Sequence, residues 1–130
     1  MKELLRCKTV QEAFRFLEKD DKRTLQETLE MCQIPAPSYQ EEKKAEYVFG
    51  KMQEAGLEDV HIDAVGNVLG VRKGNGNGPR IVLAGHTDTV FPMETDLTLK
   101  QDGNRYSCPG IGDDTRAVAE LLSIARAMNA

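Results

Sequence analysis

Two short segments of the sequence carry side chains that could bind a metal ion. In the first, His86-Thr87-Asp88, side chains two residues apart point the same way if the backbone is extended. The Asp88 carboxylate can then hydrogen-bond one imidazole nitrogen and leave the other nitrogen for a metal. The His-x-Asp pattern is short and therefore weak evidence for a metal site. The alternative is a structural histidine whose hydrogen bonds are satisfied at the end of a strand.

The second segment is Asp113-Asp114, which precedes an apolar helical pattern. One interpretation is structural, since carboxylates at a helix start cap backbone N–H groups and interact favourably with the helix dipole. Gly110 and Gly112 lie just before them and indicate a backbone bent into a special shape. This favours a second interpretation, in which a carboxylate of this segment bridges two zinc ions at about 2.0–2.2 Å from each.

The element expected to position His86 is a strand over residues 81–84. Its four residues are all apolar, as in a short strand that is buried on both faces. Gly85, His86 and Asp88 follow it directly, and open α/β sheets place their ligands at this end of a strand. The pattern therefore favours a functional His86 and predicts that it meets the Asp113 segment.

Helical spacing dominates the first third of the sequence. A capping box at Thr9 and an apolar stripe predict a helix over residues 10–17. A break at Asp20 and a second helix over residues 25–32 follow. These helices are predicted to pack on the sheet through one apolar face each.

A third helix is predicted between Ser38, which begins a second capping box, and Gly56, with Lys44 among its outward side chains. Hairpins follow within residues 59–71 and 97–107. The last helix begins after Asp113 or Asp114 and is apolar over most of its circumference. The glycine-rich segment 74–79 is predicted to be a loop, since no helix follows it to bind phosphate.

This order of elements predicts one domain of the α/β class, a mixed β-sheet flanked by helices. The chain has 130 residues with a net charge of −4 and no basic stripe, which argues against a nucleic-acid partner. No apolar run approaches the roughly 20 residues that cross a bilayer, so no membrane partner is expected. Three cysteines without a Cys-x-x-Cys pair, and no signal-peptide pattern, predict a cytoplasmic location.

Other candidate residues have structural explanations. Cys108 lies near the Asp113 segment, but no second cysteine is close in sequence, so burial as a small hydrophobe is favoured over zinc ligation. His61 belongs to an alternating strand pattern, which favours a surface position. No Gly-x-Ser-x-Gly motif supports serine-based catalysis.

Together the two motifs resemble a known family. Residues 85–90 are similar to the His-x-Asp-x-Val signature of the zinc exopeptidases and amidohydrolases that include aminoacylase, carboxypeptidase G, peptidase T and the acetylornithine and succinyl-diaminopimelate deacylases. Residues 109–114 resemble the family's second signature, Gly-x-x-Asp followed by Asp, Met or Asn. Residues 34–38 are similar to its Ile-Pro-Ser-x-Ser element. The resemblance extends from about residue 22 to the end of the sequence.

The resemblance implies a role for each residue. His86 would ligate one zinc ion, Asp88 would have a catalytic role by orienting His86, and Asp113 would bridge two zinc ions, with a cis peptide bond after it. Cobalt or manganese could replace zinc. No residue is assigned to an organic cofactor. A glutamate pair, whose first member is the general base, would complete the site.

The sequence departs from the family pattern in two places. Thr115 stands where the family commonly has lysine two residues after the bridging aspartate. The sequence also ends before a glutamate pair, so residues 1–130 are expected to be the amino-terminal portion of a metallopeptidase catalytic domain, without its lid domain and carboxyl-terminal portion.

The function implied is hydrolysis of an amide bond near a free carboxylate, by attack of a metal-bound hydroxide on a peptide or N-acyl amino acid. The 130-residue chain alone is expected to be inactive and, because of exposed strand edges, to form a homo-oligomer. The alternative is a catalytically silent domain with a structural or interaction role.

Overall fold

A computed structural model describes residues 3–76 and 78–129. A short 3₁₀ turn, Leu4–Arg6, precedes the main elements. These are α1 Lys8–Met31, α2 Glu42–Glu54, β1 Glu58–Ile62, β2 Val68–Val71, β3 Lys100–Asp102, β4 Arg105–Ser107 and α3 Arg116–Ala127, with a π-type turn Ile111–Thr115 leading into α3. None of the described helices combines the length and the apolar character needed to span a membrane.

The predicted α/β class is confirmed. The predicted single mixed sheet is not found: among the described residues the strands form two separate antiparallel pairs, β1 with β2 and β3 with β4. The β1–β2 turn is closed by Asp63, whose Oδ1 accepts hydrogen bonds from the backbone N–H groups of Val65 and Asn67. Both hairpins therefore form where short-range turn patterns predict them.

The prediction of two helices before residue 33 is wrong, because α1 runs unbroken past Asp20. Aspartate costs a helix interior well under about 1 kcal/mol, and a tertiary contact can repay that cost. Here Asp20 accepts hydrogen bonds from Arg126 and Ser123 of α3. The predicted capping box at Thr9 is also absent, since Cys7 precedes the helix and no side chain caps it.

A buried ion cluster joins α1 to α3. Arg126 is 6% exposed, and its guanidinium lies 2.7 Å from Asp20 Oδ2 and 3.0 Å from Glu27 Oε2. Glu27 is 2% exposed and also accepts from Arg23 at 3.0 Å. Beside these ions lies an apolar core of Met31, Val48, Val118 and Ala119. The two helices therefore meet through both charges and apolar side chains.

The third helix is confirmed, although it begins at Glu42 and not at Ser38. No side chain caps its amino terminus. The outward position predicted for Lys44 is wrong, since this residue is 2% exposed. Burial lowers the pKa of Lys44 against the opposing influence of nearby Cys32.

The predicted buried strand at residues 81–84 is wrong. These residues belong to no strand, and Ile81, Val82 and Leu83 are 79%, 79% and 56% exposed. No backbone hydrogen bond joins residues 81–84 to another described residue. A strand needs a neighbour to satisfy its backbone groups, and within residues 3–76 and 78–129 no strand lies alongside this segment.

Three predictions reach residues outside the described part of the chain. The loop predicted at 74–79 includes Asn77, and the other residues of that segment lie in no helix or strand. The expectation about a signal peptide includes Met1 and Lys2. The predicted final helix extends to Ala130.

Candidate metal centre

The structure brings His86 and Asp113 together, although 27 residues separate them. His86 Nε2 lies 3.0 Å from Asp113 Oδ1. On the other side of the ring, Nδ1 lies 3.1 Å from Asp88 Oδ1 and 3.0 Å from the Asp88 carbonyl oxygen. The predicted orientation of Asp88 toward His86 therefore agrees with the geometry, while the metal-binding roles stay predictions.

The separation of Nε2 and Oδ1 fits two ligands of one metal ion. A tetrahedral zinc ion with bonds of about 2.0–2.2 Å holds neighbouring ligand atoms about 3.3 Å apart. The observed distance of 3.0 Å between Nε2 and Oδ1 would have to increase by only a few tenths of an ångström to match this value. Asp113 is 93% exposed along its side chain, which leaves its second oxygen accessible to a second ion. The peptide bond after Asp113 is cis, as the family resemblance implies.

The same arrangement accounts for the electrostatics of the imidazole. Burial lowers the pKa of His86, but the hydrogen bond to Asp113, the Asp88 carbonyl and the charges of Asp114 and Asp88 outweigh it, so its pKa is raised. The pKa of Asp88 is lowered, first by the hydroxyl of Ser38 and then by the nearby His86. The cluster therefore favours positive charge at the point where its carboxylates converge.

Asp114 positions the backbone of the His86 loop. Its Oδ2 accepts a hydrogen bond from the His86 N–H at 3.2 Å. Gly85 lies close to the Asp114 carboxylate and to α3, because a Cβ on Gly85 would lie 3.1 Å from Asp114 Oδ2 and 3.3 Å from Leu121. The predicted capping of the last helix by Asp113 or Asp114 is wrong, since Thr115 occupies that position and no side chain caps it.

Gly110 shapes the other half of the cluster. Its φ is +76°, a conformation that L side chains rarely adopt, and a Cβ there would lie 2.8 Å from Thr89 Cγ2. Thr89 is itself fixed, because its N–H donates to the Ala36 carbonyl at 2.7 Å. The special backbone predicted from the two glycines is thus found at Gly110, whereas Gly112 has open space around it.

Ser38 belongs to this cluster, and sequence reasoning assigned it no role there. Its hydroxyl donates to Asp88 Oδ2 at 2.6 Å across 50 residues. The similarity of residues 34–38 to a family element indicated that this segment matters. It did not indicate that Ser38 contacts Asp88. A parallel backbone bridge between Pro37 and Thr89 brings the two loops side by side.

The two structural interpretations made from sequence agree with the structure. Cys108 is buried, and its thiol donates to the carbonyl oxygens of Cys32 and Leu97 at 3.1 and 3.3 Å. Burial, followed by hydrogen bonding to Cys108, raises the pKa of Cys32 to about 12. His61 is exposed on β1. Neither Cys108 nor His61 hydrogen-bonds the His86 cluster.

Within residues 3–76 and 78–129, no three His, Cys, Asp or Glu side chains are grouped so that they could hold a metal ion. The described site therefore offers two direct ligands, one imidazole and one carboxylate. It fits part of a metal centre, with one nitrogen and one oxygen donor of the types that zinc binds. These features define an α/β protein in which His86 lies among three aspartates, Asp88, Asp113 and Asp114.

Comparison with known proteins agrees with that class. No family model matches the chain. A protein of Pyrococcus abyssi, provisionally named as a LysW-lysine/LysW-ornithine hydrolase, is 46% identical over 61 residues, 47% of this chain and 17% of that protein. The cytosol non-specific dipeptidase of Escherichia coli is 45% identical over 70 residues, 51% of this chain and 14% of the dipeptidase.

A third relative is the succinyl-diaminopimelate desuccinylase of Corynebacterium glutamicum, 33% identical over 82 residues, 62% of this chain and 22% of the desuccinylase. These matches confirm the resemblance: over part of its length the chain is similar to peptidases and deacylases of the kind that the motifs indicate. The aligned region spans between 14% and 22% of the length of these relatives.

Proposed function

We propose that the chain provides His86 and Asp113 as ligands of a divalent metal centre in an amide-bond hydrolase, with zinc as the preferred ion and cobalt or manganese as substitutes. The observation that carries this proposal is the 3.0 Å approach of His86 Nε2 to Asp113 Oδ1. The relatives' names support the reaction class, since they denote a dipeptidase, a desuccinylase and a LysW-conjugate hydrolase. A zinc ion, when bound, polarises a carbonyl group and lowers the pKa of a water ligand to about 7.

The side chains of this chain have separate tasks in the proposal. Asp88 would accept the Nδ1 proton of His86 and leave the Nε2 lone pair available to the ion. Asp114 holds the His86 backbone from the start of α3. Asp113 would supply an oxygen to the ion that His86 would hold, and its exposed carboxylate could also serve a second ion. The substrate is a peptide or N-acyl amino acid cleaved near a free carboxylate.

The order of the motifs supports the further proposal that residues 1–130 correspond to an amino-terminal part of such a catalytic domain. We also place the protein in the cytoplasm, as the name of the dipeptidase relative states for that protein. We also propose that the chain self-associates, because the apolar segment 81–84 is exposed. The net charge of −4 argues against nucleic acid as a partner.

Metal titration with a histidine control tests the central claim. The 130-residue chain should bind Zn²⁺ or Co²⁺ with micromolar or weaker affinity, because it offers fewer ligands than the four of a closed zinc site. His86→Ala should abolish this binding in calorimetry. His61→Ala is the matched control, since His61 is exposed and its Nδ1 lies against the Asp59 carbonyl at 2.7 Å. Binding that survives His86→Ala, or that His61→Ala removes, would refute the assignment.

A second function is favoured by one observation, the lack of a third ligand among the described residues. In that case the 130-residue chain is a catalytically silent module that acts through association. It should then show no metal-dependent hydrolysis of dipeptides or N-acyl amino acids. Turnover that is lost both with a chelator and in His86→Ala would overturn this second proposal.

A further inference from the structure

We propose that Ser38 is a positioning residue for the metal ligand His86, acting through Asp88. This inference rests on the proposed function, because it assigns Ser38 to the support of the same site. Ser38 Oγ donates to Asp88 Oδ2 at 2.6 Å, and Asp88 Oδ1 lies 3.1 Å from His86 Nδ1. The His86 Nε2 atom faces Asp113 at 3.0 Å. Four side chains thus form one continuous hydrogen-bonded row.

The two oxygens of Asp88 have different partners in this row. A carboxylate that is hydrogen-bonded on one side only can rotate and exchange its oxygens. The Ser38 hydroxyl holds Oδ2, so Oδ1 stays with the imidazole. Partners that hold a metal-binding histidine through its second nitrogen fix the ring orientation and the position of its proton. Ser38 extends that support by one residue.

Backbone hydrogen bonds hold the Ser38 segment beside the Asp88 segment. Pro37 forms a parallel bridge with Thr89, the residue that follows Asp88. The Thr89 N–H donates to the Ala36 carbonyl at 2.7 Å, and the Gln40 N–H donates to the Pro37 carbonyl at 2.9 Å. The hydroxyl is therefore held opposite Asp88 by backbone bonds on both sides of it. Since Ser38 is exposed, replacing it leaves the core unchanged.

The test uses three variants of the 130-residue chain and two readouts. Ser38→Ala removes the hydroxyl, Ser38→Thr retains it, and Ser107→Ala removes an exposed hydroxyl on β4 as a matched control. The first readout is the imidazole ¹⁵N shifts of the metal-free protein, at a pH where the rings are neutral. The second is the dissociation constant of Co²⁺. His61, the only other histidine, serves as an internal reference.

We expect Ser38→Ala to move the His86 ¹⁵N shifts, to leave those of His61 unchanged, and to weaken Co²⁺ binding by about tenfold, the lower end for partners of metal ligands. Ser38→Thr should restore both readouts to within twofold of the unmodified chain, and Ser107→Ala should change neither. Circular dichroism establishes that each variant is folded.

Unchanged His86 shifts in Ser38→Ala would overturn the positioning role, whatever the metal affinity. An equal loss in Ser38→Thr would overturn it as well, because the hydroxyl would not be the active group. A different outcome separates the two proposals: if the His86 shifts move but the unmodified chain shows no His86-dependent Co²⁺ binding, the link from Ser38 to His86 is supported and the metal assignment fails.

Discussion

His86 has a side-chain partner at each ring nitrogen, one near it in the sequence and one distant. Asp88 and Ser38 fix the Nδ1 side, and Asp113 faces Nε2. Sequence reasoning predicted the pair of His86 and Asp88, because a spacing of two residues has direct geometric meaning. It assigned no role to Ser38, because a hydrogen bond across 50 residues depends on how two loops pack and leaves no local pattern.

Gly110 supports a prediction at the scale of one residue. Gly110→Ala should lower the free energy of unfolding by about 1–3 kcal/mol, because alanine is strained at a φ of +76° and its Cβ would lie 2.8 Å from Thr89 Cγ2. Since Thr89 is tied to Ala36, the displacement should also weaken any His86-dependent metal binding. Urea denaturation and metal titration measure the two effects.

Gly112→Ala is the matched control for this prediction. A Cβ on Gly112 meets nothing within 4 Å, and its φ lies outside the range that disfavours side chains. It should change the free energy of unfolding by less than about 0.5 kcal/mol. If both variants destabilise the protein equally, the close approach at Thr89 does not control the loop.

At the scale of elements, the contact between α1 and α3 depends on a buried ion cluster. Sequence periodicity predicted apolar stripes on these helices but divided α1 at Asp20. The reason is that Asp20 looks like a helix breaker in isolation, whereas in the fold its carboxylate accepts hydrogen bonds from Arg126 and Ser123. The sequence of α1 alone does not show which residues of another helix will pair with Asp20.

Arg126→Met should destabilise the protein by about 3 kcal/mol. The substitution leaves Asp20 and Glu27 buried without their main counter-charge, and removing one partner of a buried ion pair is strongly destabilising. Because Glu27 keeps its hydrogen bond from Arg23, the expected loss of stability lies at the lower end of the roughly 3–5 kcal/mol that breaking a buried ion pair costs. Chemical denaturation of both proteins in the same buffer measures the difference.

Arg116→Met on the same helix is the control. Arg116 pairs with Glu120 at 2.8 Å, but its side chain is 38% exposed, so the loss should be about 0.5 kcal/mol or less. A loss below about 1 kcal/mol for Arg126→Met would show that the buried charges are not needed to hold the two helices together.

At the scale of the whole molecule, residues 81–83 form the largest departure from prediction. Four apolar residues in a row are typical of a buried strand, and the side chains are nevertheless exposed. Burial of such a segment requires neighbours on both faces and on both edges. Whether those neighbours exist depends on the tertiary structure, since the same four residues look identical in either environment.

The exposed segment leads to a prediction about association. The unmodified chain should form dimers or larger species in light scattering, because exposed apolar residues with unpaired backbone groups favour pairing with another chain. Val82→Lys should shift the distribution toward monomer without loss of stability, since Val82 is 79% exposed.

Val65→Lys supplies the comparison, because Val65 is 82% exposed but belongs to the β1–β2 turn and not to segment 81–84. It should leave the association unchanged. A chain that stays monomeric at high concentration, or one in which both lysine variants dissociate the oligomer equally, would contradict a role for residues 81–83.

The sequence by itself determined the α/β class, the positions of both hairpins and the two segments that we propose to bind metal. Each depends on spacing over a few residues, such as the His86 and Asp88 pair or the turn at Asp102-Gly103. Only the tertiary structure decided that Ser38 supports Asp88, that Arg126 joins α1 to α3, and that residues 81–84 are exposed. These outcomes depend on which distant segments pack together, and packing is a property of the folded chain as a whole.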